Sequence, residues 1–471
     1  MAPPAAVVFA GISMKNIVRI FLALFFSSLS LFAAEGKPNI IIVLADDLGY
    51  GDLGCYGHPS IRTPHLDRMA AEGLRFTDFY APSEVCTPSR AAMLTGRYAI
   101  RSGMSTGGQR VLFPDSKGGL PAGEVTIAEA LKTRGYSTAH VGKWHLGVVE
   151  GSRPNEQGFD ESFGLPYSND MDGRSKVPAG SPNPPVDGWN VPLMRNGKII
   201  ERPAVQSTLT QRYTDEAIAF AHAHKAEPFF IYLAHTMPHV PLFASAEFRG
   251  KSMRGLYGDV VEELDANVGR LLAALRDEGL AEKTMVIFAS DNGPWLLTKA
   301  MGGNGQGGSA GLLREGKGST WEGGMRVPGI AWWPGRIKPG VTSEMANAMD
   351  LFATSLALAG AEMPKDRPMD GVDISPLLFE GKALPERPFF YYRGDMLMAC
   401  RLGPWKAHFW TQAGYGQEHP DSHNPPLLIH LPSDPSEKFD VAAEHPEVLE
   451  KIQAAVAAHT AAMVRGTPQL K

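Results

Sequence analysis

Two short acidic segments and one cysteine hold the residue types best suited to chemistry in this sequence. Asp46 and Asp47 directly follow the apolar run at 39–44, and Asp291-Asn292-Gly293 follow a second run at 285–290. If those runs are parallel strands of an open α/β sheet, their carboxyl ends open on one crevice, where three carboxylates and an amide oxygen can converge. Such a donor set suits a hard divalent cation, Ca²⁺ or Mg²⁺, and not zinc, which prefers cysteine and histidine. Taken singly, each segment is also ordinary turn chemistry, since Asp, Asn and Gly favour turns. The cysteine is Cys86, in the segment Cys86-Thr87-Pro88-Ser89-Arg90. Pro88 and Gly96 predict a loop that enters a helix and the C-cap that ends it. That places Cys86 near a helix N-terminus, where backbone N–H groups favour an anion. A free cysteine is more often a packing residue, but Pro82, Ser83, Glu84, Thr87 and Ser89 are not a core context.

These groups need a scaffold, and the patterning supplies one. The runs at 39–44, 228–234 and 285–290 are continuous and rich in branched or aromatic side chains, as in strands covered on both faces of a parallel sheet. Helical patterns lie between them at 64–73, 89–95, 126–134, 208–224 and 253–278. The alternation predicts an α/β fold with a large, mostly parallel sheet flanked by helices. After about residue 384 the pattern changes to short strands at 389–393, 396–402, 406–410 and 427–431, then a helix at 445–463, a small antiparallel sheet with a terminal helix. Two glycine- or proline-rich loops, 177–192 and 301–311, are long enough to be functional or mobile.

Composition narrows the function. With 44% hydrophobic and 20% charged residues the chain of 471 is globular, not disordered. A formal charge of −5 gives no basic stripe for nucleic acid, so an anionic substrate must be met by local cations. Residues 14–34 open with Lys15 and Arg19, run apolar from Ile20 to Phe32 and end in Ala33-Ala34, a secretory signal too short and serine-rich for a stable membrane anchor. Met14 stands just before this pattern, which points to translation starting there. The chain is therefore expected to be secreted or periplasmic. Its three cysteines, Cys55, Cys86 and Cys400, cannot build a disulfide framework, and their odd number leaves one free or modified.

Several segments together carry a resemblance. CTPSR at 86–90, followed by LTGR at 94–97, resembles the signature of the formylglycine-dependent sulfatases, members of the alkaline phosphatase-like superfamily. DDLGYGDLGCYG at 46–57, GKWHLG at 142–147, PYSND at 166–170, DNG at 291–293 and GKGSTWEGG at 316–324 occur in that family's order. KAHFWTQ at 406–412 resembles its arylsulfatase branch, and the likeness spans about residues 38–441. The resemblance implies hydrolysis of sulfate monoesters, on aryl or sugar alcohols, by a formylglycine hydrate made from Cys86 by a maturation enzyme. It implies one Ca²⁺ held by Asp46, Asp47, Asp291, Asn292 and the modified Cys86. Arg90 would stabilise the formylglycine hydroxyls; Lys143, Lys317 and His239 would surround the sulfate and leaving group. His145 would bond the hydrate, and Ser168 and His408 would contact substrate. The patterning of the chain predicts a signal peptide at 1–34, a catalytic domain at 35–384 and a C-terminal subdomain at 385–471.

Overall fold

The computed structural model describes residues 36–172, 189–297 and 307–471. The signal segment, most of the loop at 177–192 and residues 301–306 of the glycine-rich loop lie outside the described residues. Pro38–Lys471 group as one unit.

At the centre of the large sheet is β1 (Asn39–Ala45), buried along its whole length. It pairs in parallel with β7 (Phe229–Ala234) on one side and β8 (Thr284–Ser290) on the other. Outside β7 lie β3 (Ser137–Lys143) and then β4 (Glu161–Leu165), both parallel. Beyond β8 the direction reverses into β9 (Arg326–Trp332), which pairs antiparallel with β8 and with β2 (Leu74–Tyr80). Short strands finish the edges: β10 (Gly340–Thr342) and β11 (Ala346–Asn347) on β2, and β5 (Leu193–Arg195) and β6 (Lys198–Glu201) beyond β4.

Alternate residues of β1 enter different layers, because successive strand side chains point to opposite faces. Ile40, Ile42 and Leu44 join a core built with the helices Cys86–Thr95, Ile127–Lys132 and Asp350–Ala359. Ile41 and Val43 join a second core with the helices Pro64–Glu72, Leu209–Ala223 and Leu256–Asp277. Both faces are thus covered, which is why β1 carries no polar alternation. The register sets Ala45 opposite Ser290 and Leu44 opposite Ala234. The residues after β1, β7 and β8 therefore leave the sheet at one level, with Lys143 ending β3 at the same edge.

A second sheet holds β12 (Pro388–Arg393), β13 (Met396–Leu402), β14 (Trp405–Thr411) and β15 (Asp421–His430), all antiparallel, with the helix Pro446–Ala461 beside it. A buried polar cluster joins the two sheets. Lys406 on β14 donates to Glu322 (3.0 Å) and to the Thr320 carbonyl (2.9 Å), and pairs with Glu437 at 2.9 Å. Tyr80 of β2 and Tyr391 of β12 donate to the same Glu322 carboxylate. Although burial opposes its charge, Lys406, Arg326 and Arg401 hold Glu322 down at about 2. Lys406→Met would strand two buried carboxylates, so it is expected to cost about 3–5 kcal/mol of stability. A loss of unfolding free energy in urea below about 0.5 kcal/mol would show the cluster to be energetically idle.

Candidate active site

The acidic residues meet where the sequence places them, beyond the carboxyl edge of the central strands. Asp47 has a φ of 63°, in the left-handed region, and its N–H bonds Asp291 Oδ1 at 3.2 Å, linking the ends of β1 and β8. Asn292 Nδ2 donates to Asp47 Oδ1 at 2.6 Å. Ser290 secures this turn by accepting from the Leu48 N–H (2.9 Å) and donating to the Asn292 carbonyl (2.9 Å).

Cys86 is the first residue of its helix, three positions earlier than the helix expected at 89–95, with Val85 as N-cap. Its Sγ lies 3.6 Å from Asp46 Oδ1 and 3.4 Å from Lys317 Nζ. Burial, only partly offset by Lys143 and Lys317, pushes its thiol up to about 12, so the unmodified side chain is a neutral, weak nucleophile. One turn on, Arg90 is fully buried: Nε donates to Asp291 Oδ2 at 2.9 Å, Nη2 pairs ionically with the same oxygen at 2.8 Å, and Nη1 donates to the Lys143 carbonyl at 2.8 Å. The same guanidinium thus fixes both an acidic residue and the backbone that presents a lysine.

That lysine depends on Gly142, whose φ is 117° and whose Cβ, if it had one, would sit 1.8 Å from the Ala234 carbonyl. Only glycine lets β3 pass β7 so closely before Lys143. Lys143 Nζ then reaches Asp46 Oδ2 at 2.6 Å and Ser168 Oγ at 3.2 Å. Lys317 Nζ meets Asp47 at 2.8–2.9 Å. Three buried cations therefore face three buried carboxylates.

The two histidines differ in what their rings can do. His145 follows β3 with φ of 60°, strained for a non-glycine residue and kept where the surroundings demand it. Its Nε2 lies 2.9 Å from the Leu112 carbonyl, which can only accept, so Nε2 carries the proton. Nδ1 is then a bare acceptor, buried with no partner among the described residues. Burial, reinforced by Lys143, holds this ring well below the usual histidine range and keeps it neutral. In His239 the ring is reversed: Nδ1 donates to the Val240 carbonyl, and Nε2 faces Ser168 Oγ (3.5 Å) and Asp47 Oδ2 (3.6 Å). Burial and Lys317 lower its basicity against the pull of Asp47 and Asp46.

A metal fits this donor set. Ligand atoms of Asp46, Asp47, Cys86 and His239 all lie within 4.8 Å of one another. Asn292 Oδ1 is buried and has no partner among the described residues, an acceptor waiting for a cation. Burial and the neighbouring Asp46 push Asp291 up to about 7, whereas Lys143, His239 and Arg90 hold Asp46 well below the usual carboxylate range although burial opposes it.

All the expected site residues but one come together here. His408 is the exception. It lies on β14, bonding Glu437 at 2.8 Å and packed on the Trp321 ring, and no bond among the described residues ties it to the cluster around Cys86. Sequence reading also passed over the carbonyls of Leu112 and Val240, which set the two histidine tautomers, because a backbone acceptor leaves no mark in side-chain letters.

A wide mixed sheet whose strand ends gather acidic, cationic and imidazole groups around a helix-borne cysteine defines a hydrolase of anionic esters. The Sulfatase family profile matches residues 38–361 and that of the C-terminal region of aryl-sulfatase matches 384–471. The chain belongs to the sulfatase family, with an alkaline phosphatase-like fold, and is a sulfuric ester hydrolase. It is 46% identical to Homo sapiens arylsulfatase A, over 89% of this chain and 87% of that one. It is 43% identical to Sus scrofa N-acetylgalactosamine-6-sulfatase, over 96% and 91%. Among solved structures it resembles Ps i-CgsB in complex with k-i-k-neocarrahexaose, at 30% identity, a TM-score of 0.76 and coverage of 92% and 94%.

Proposed function

We propose that this sulfatase uses a formylglycine made from Cys86 by a maturation enzyme, together with one Ca²⁺, to release inorganic sulfate from sulfated carbohydrates. The observation that carries this reading is the position of Cys86: at a helix start, buried, and flanked at 3.4–3.6 Å by Lys317 and Asp46. Packing alone does not call for a small thiol amid three cations and three carboxylates.

Hydrated formylglycine supplies an oxygen nucleophile that an unmodified thiol does not. Calcium would be held by Asp46, Asp47, Asp291, Asn292 and the modified residue 86, and would supply a fixed positive charge to the sulfate. The protein's own side chains do the rest. Arg90 orients residue 86 and balances the acidic cluster. Lys143 and Lys317, already desolvated, hold the sulfate oxygens that gain charge as the ester bond breaks. Nδ1 of His145 would take the proton of the second hydroxyl on residue 86 once the alcohol has left, so that inorganic sulfate departs and the aldehyde is restored. Nε2 of His239, protonated in the imidazolium form that the facing Asp47 carboxylate favours, gives that proton to the departing alcohol oxygen and is left as the neutral Nδ1–H ring.

The reading extends to the rest of the chain. Residues 1–34 direct export to the periplasm or the exterior, 35–384 form the catalytic domain and 385–471 the C-terminal subdomain. No helix among the described residues is long and apolar enough to cross a membrane.

The reading is tested by parallel turnover of 4-nitrophenyl sulfate and 4-nitrophenyl phosphate. Sulfate should be preferred in kcat/KM; a preference for phosphate would overturn it. Unchelated protein should carry about one equivalent of calcium and little zinc, given the oxygen ligand set. Stoichiometric zinc, or full activity after exhaustive chelation, would refute the metal assignment.

A further inference from the structure

Among the described residues, the charged cluster is least enclosed at Lys317 and His239. Asp46, Arg90 and Lys143 side chains are fully enclosed, whereas Lys317 and His239 keep about 6% of theirs exposed. A sulfate bound against Lys143 must therefore present its alcohol portion past Lys317 and His239.

Beside Lys317 stands an aromatic pair the site chemistry does not use. Lys317 Nζ lies 5.9 Å from the centre of the Trp295 ring, and Trp295 meets Tyr415 edge-on at 5.0 Å. Tyr415 is 37% exposed, unusual for a ring in so well packed a region. It lies directly on Gly318, where a Cβ would come within 2.9 Å of its Cε2 atom. The platform is anchored. Arg110 donates to the Gly318 carbonyl (2.9 Å) and the Gly414 carbonyl (3.4 Å), and stacks 5.5 Å from the Tyr415 ring. Arg393 donates to the carbonyls of Gly318, Ala413 and Gly414, binding the Tyr415 loop to the Lys317 loop. Finally, Trp295 Nε1 is a buried donor with no acceptor among the described residues. A donor left unpaired is a cost that a ligand oxygen would remove.

We propose that Trp295 and Tyr415 form the subsite for the ring of a sulfated pyranose: Tyr415 packs on its apolar C–H face and Trp295 Nε1 donates to a ring hydroxyl or ether oxygen. This rests on the sulfatase reading and names its substrate class. A rigid aromatic face next to an unpaired donor suits a ring that is apolar on one side and rich in oxygens at its edge, and an alkyl chain offers only the first property.

The test compares kcat/KM for 4-nitrophenyl sulfate with that for the best-cleaved member of a panel of galactose, N-acetylgalactosamine and glucosamine monosulfates. In Tyr415→Ala and Trp295→Ala the sugar-to-aryl ratio should fall about tenfold, mainly through KM. Trp295→Phe, which keeps a ring and loses only the N–H, should lower the ratio about fivefold while keeping the fold. Ratios within twofold of the parent in all three variants would overturn the subsite, as would equal loss of kcat on both substrates, which marks a structural role behind Lys317. A parent protein that cleaves the aryl sulfate but none of the sugars would also overturn it. A parent that cleaves no sulfate at all would overturn the sulfatase reading beneath it.

Discussion

Cys86→Ala is expected to abolish sulfate ester turnover, by at least about 10⁴-fold, because it removes the group from which the nucleophile is made. The fold should survive, since the substitution deletes one sulfur from a polar cluster and leaves no large apolar void. Cys86→Ser should be equally inactive although it restores an oxygen, because a single hydroxyl cannot regenerate itself as a hydrated aldehyde can. The accompanying observable is mass. Replacing a thiol by an aldehyde lowers the peptide containing residue 86 by about 18 Da, by atomic bookkeeping of an oxidised cysteine side chain. A fully active preparation in which that peptide carries only unmodified cysteine would end the mechanism proposed here. Loss of activity together with loss of the thermal transition in both variants would instead assign Cys86 a structural role.

Legibility in the sequence followed covalent order and strand burial. β1, β7 and β8 were readable because strands covered on both faces need unbroken apolar runs, and the acidic residues come straight after two of them. β3 was not. It reads Ser-Thr-Ala-His-Val-Gly-Lys, and its polar members are buried through local bonds, as when Thr138 bonds Asp160 and the Gly158 carbonyl. Lys143 and His145 were therefore found by resemblance, not by patterning. The start of the Cys86 helix was misplaced by three residues because Pro88 suggested the first turn's opening position, whereas the third position also needs no intrahelical donor. His408 failed for another reason. It has the residue type of a ligand contact, and only tertiary packing shows that Glu437 and Trp321 enclose it. The Trp295 and Tyr415 pair, 120 positions apart in the chain, had no local signal at all.

The two histidines should separate in a series of sulfate esters with leaving alcohols of increasing pKa. In His239 Nδ1–H donates to the Val240 carbonyl, so the atom turned toward Ser168 and Asp47 is Nε2, which in the imidazolium form carries the proton available to the departing alcohol. Its loss should cost about 10²–10⁴-fold for sugar sulfates, whose alkoxides leave only with a proton, and much less for nitrophenyl sulfates, which leave unaided. His239→Ala should therefore steepen the dependence of rate on leaving-group pKa. In His145 the Leu112 carbonyl holds Nε2–H, leaving a buried Nδ1 that can accept a proton but stands within the enclosed part of the site. A base that takes the remaining hydroxyl proton after the alcohol has gone serves a step that no longer contains the leaving group, so His145→Ala should slow turnover and flatten the same plot. His239→Gln offers a check against simple collapse of the site, since it keeps a polar group of similar reach and cannot act as an acid. Parallel plots for the two alanine variants, displaced equally from the parent, would mean that neither ring has the separate task its tautomer suggests.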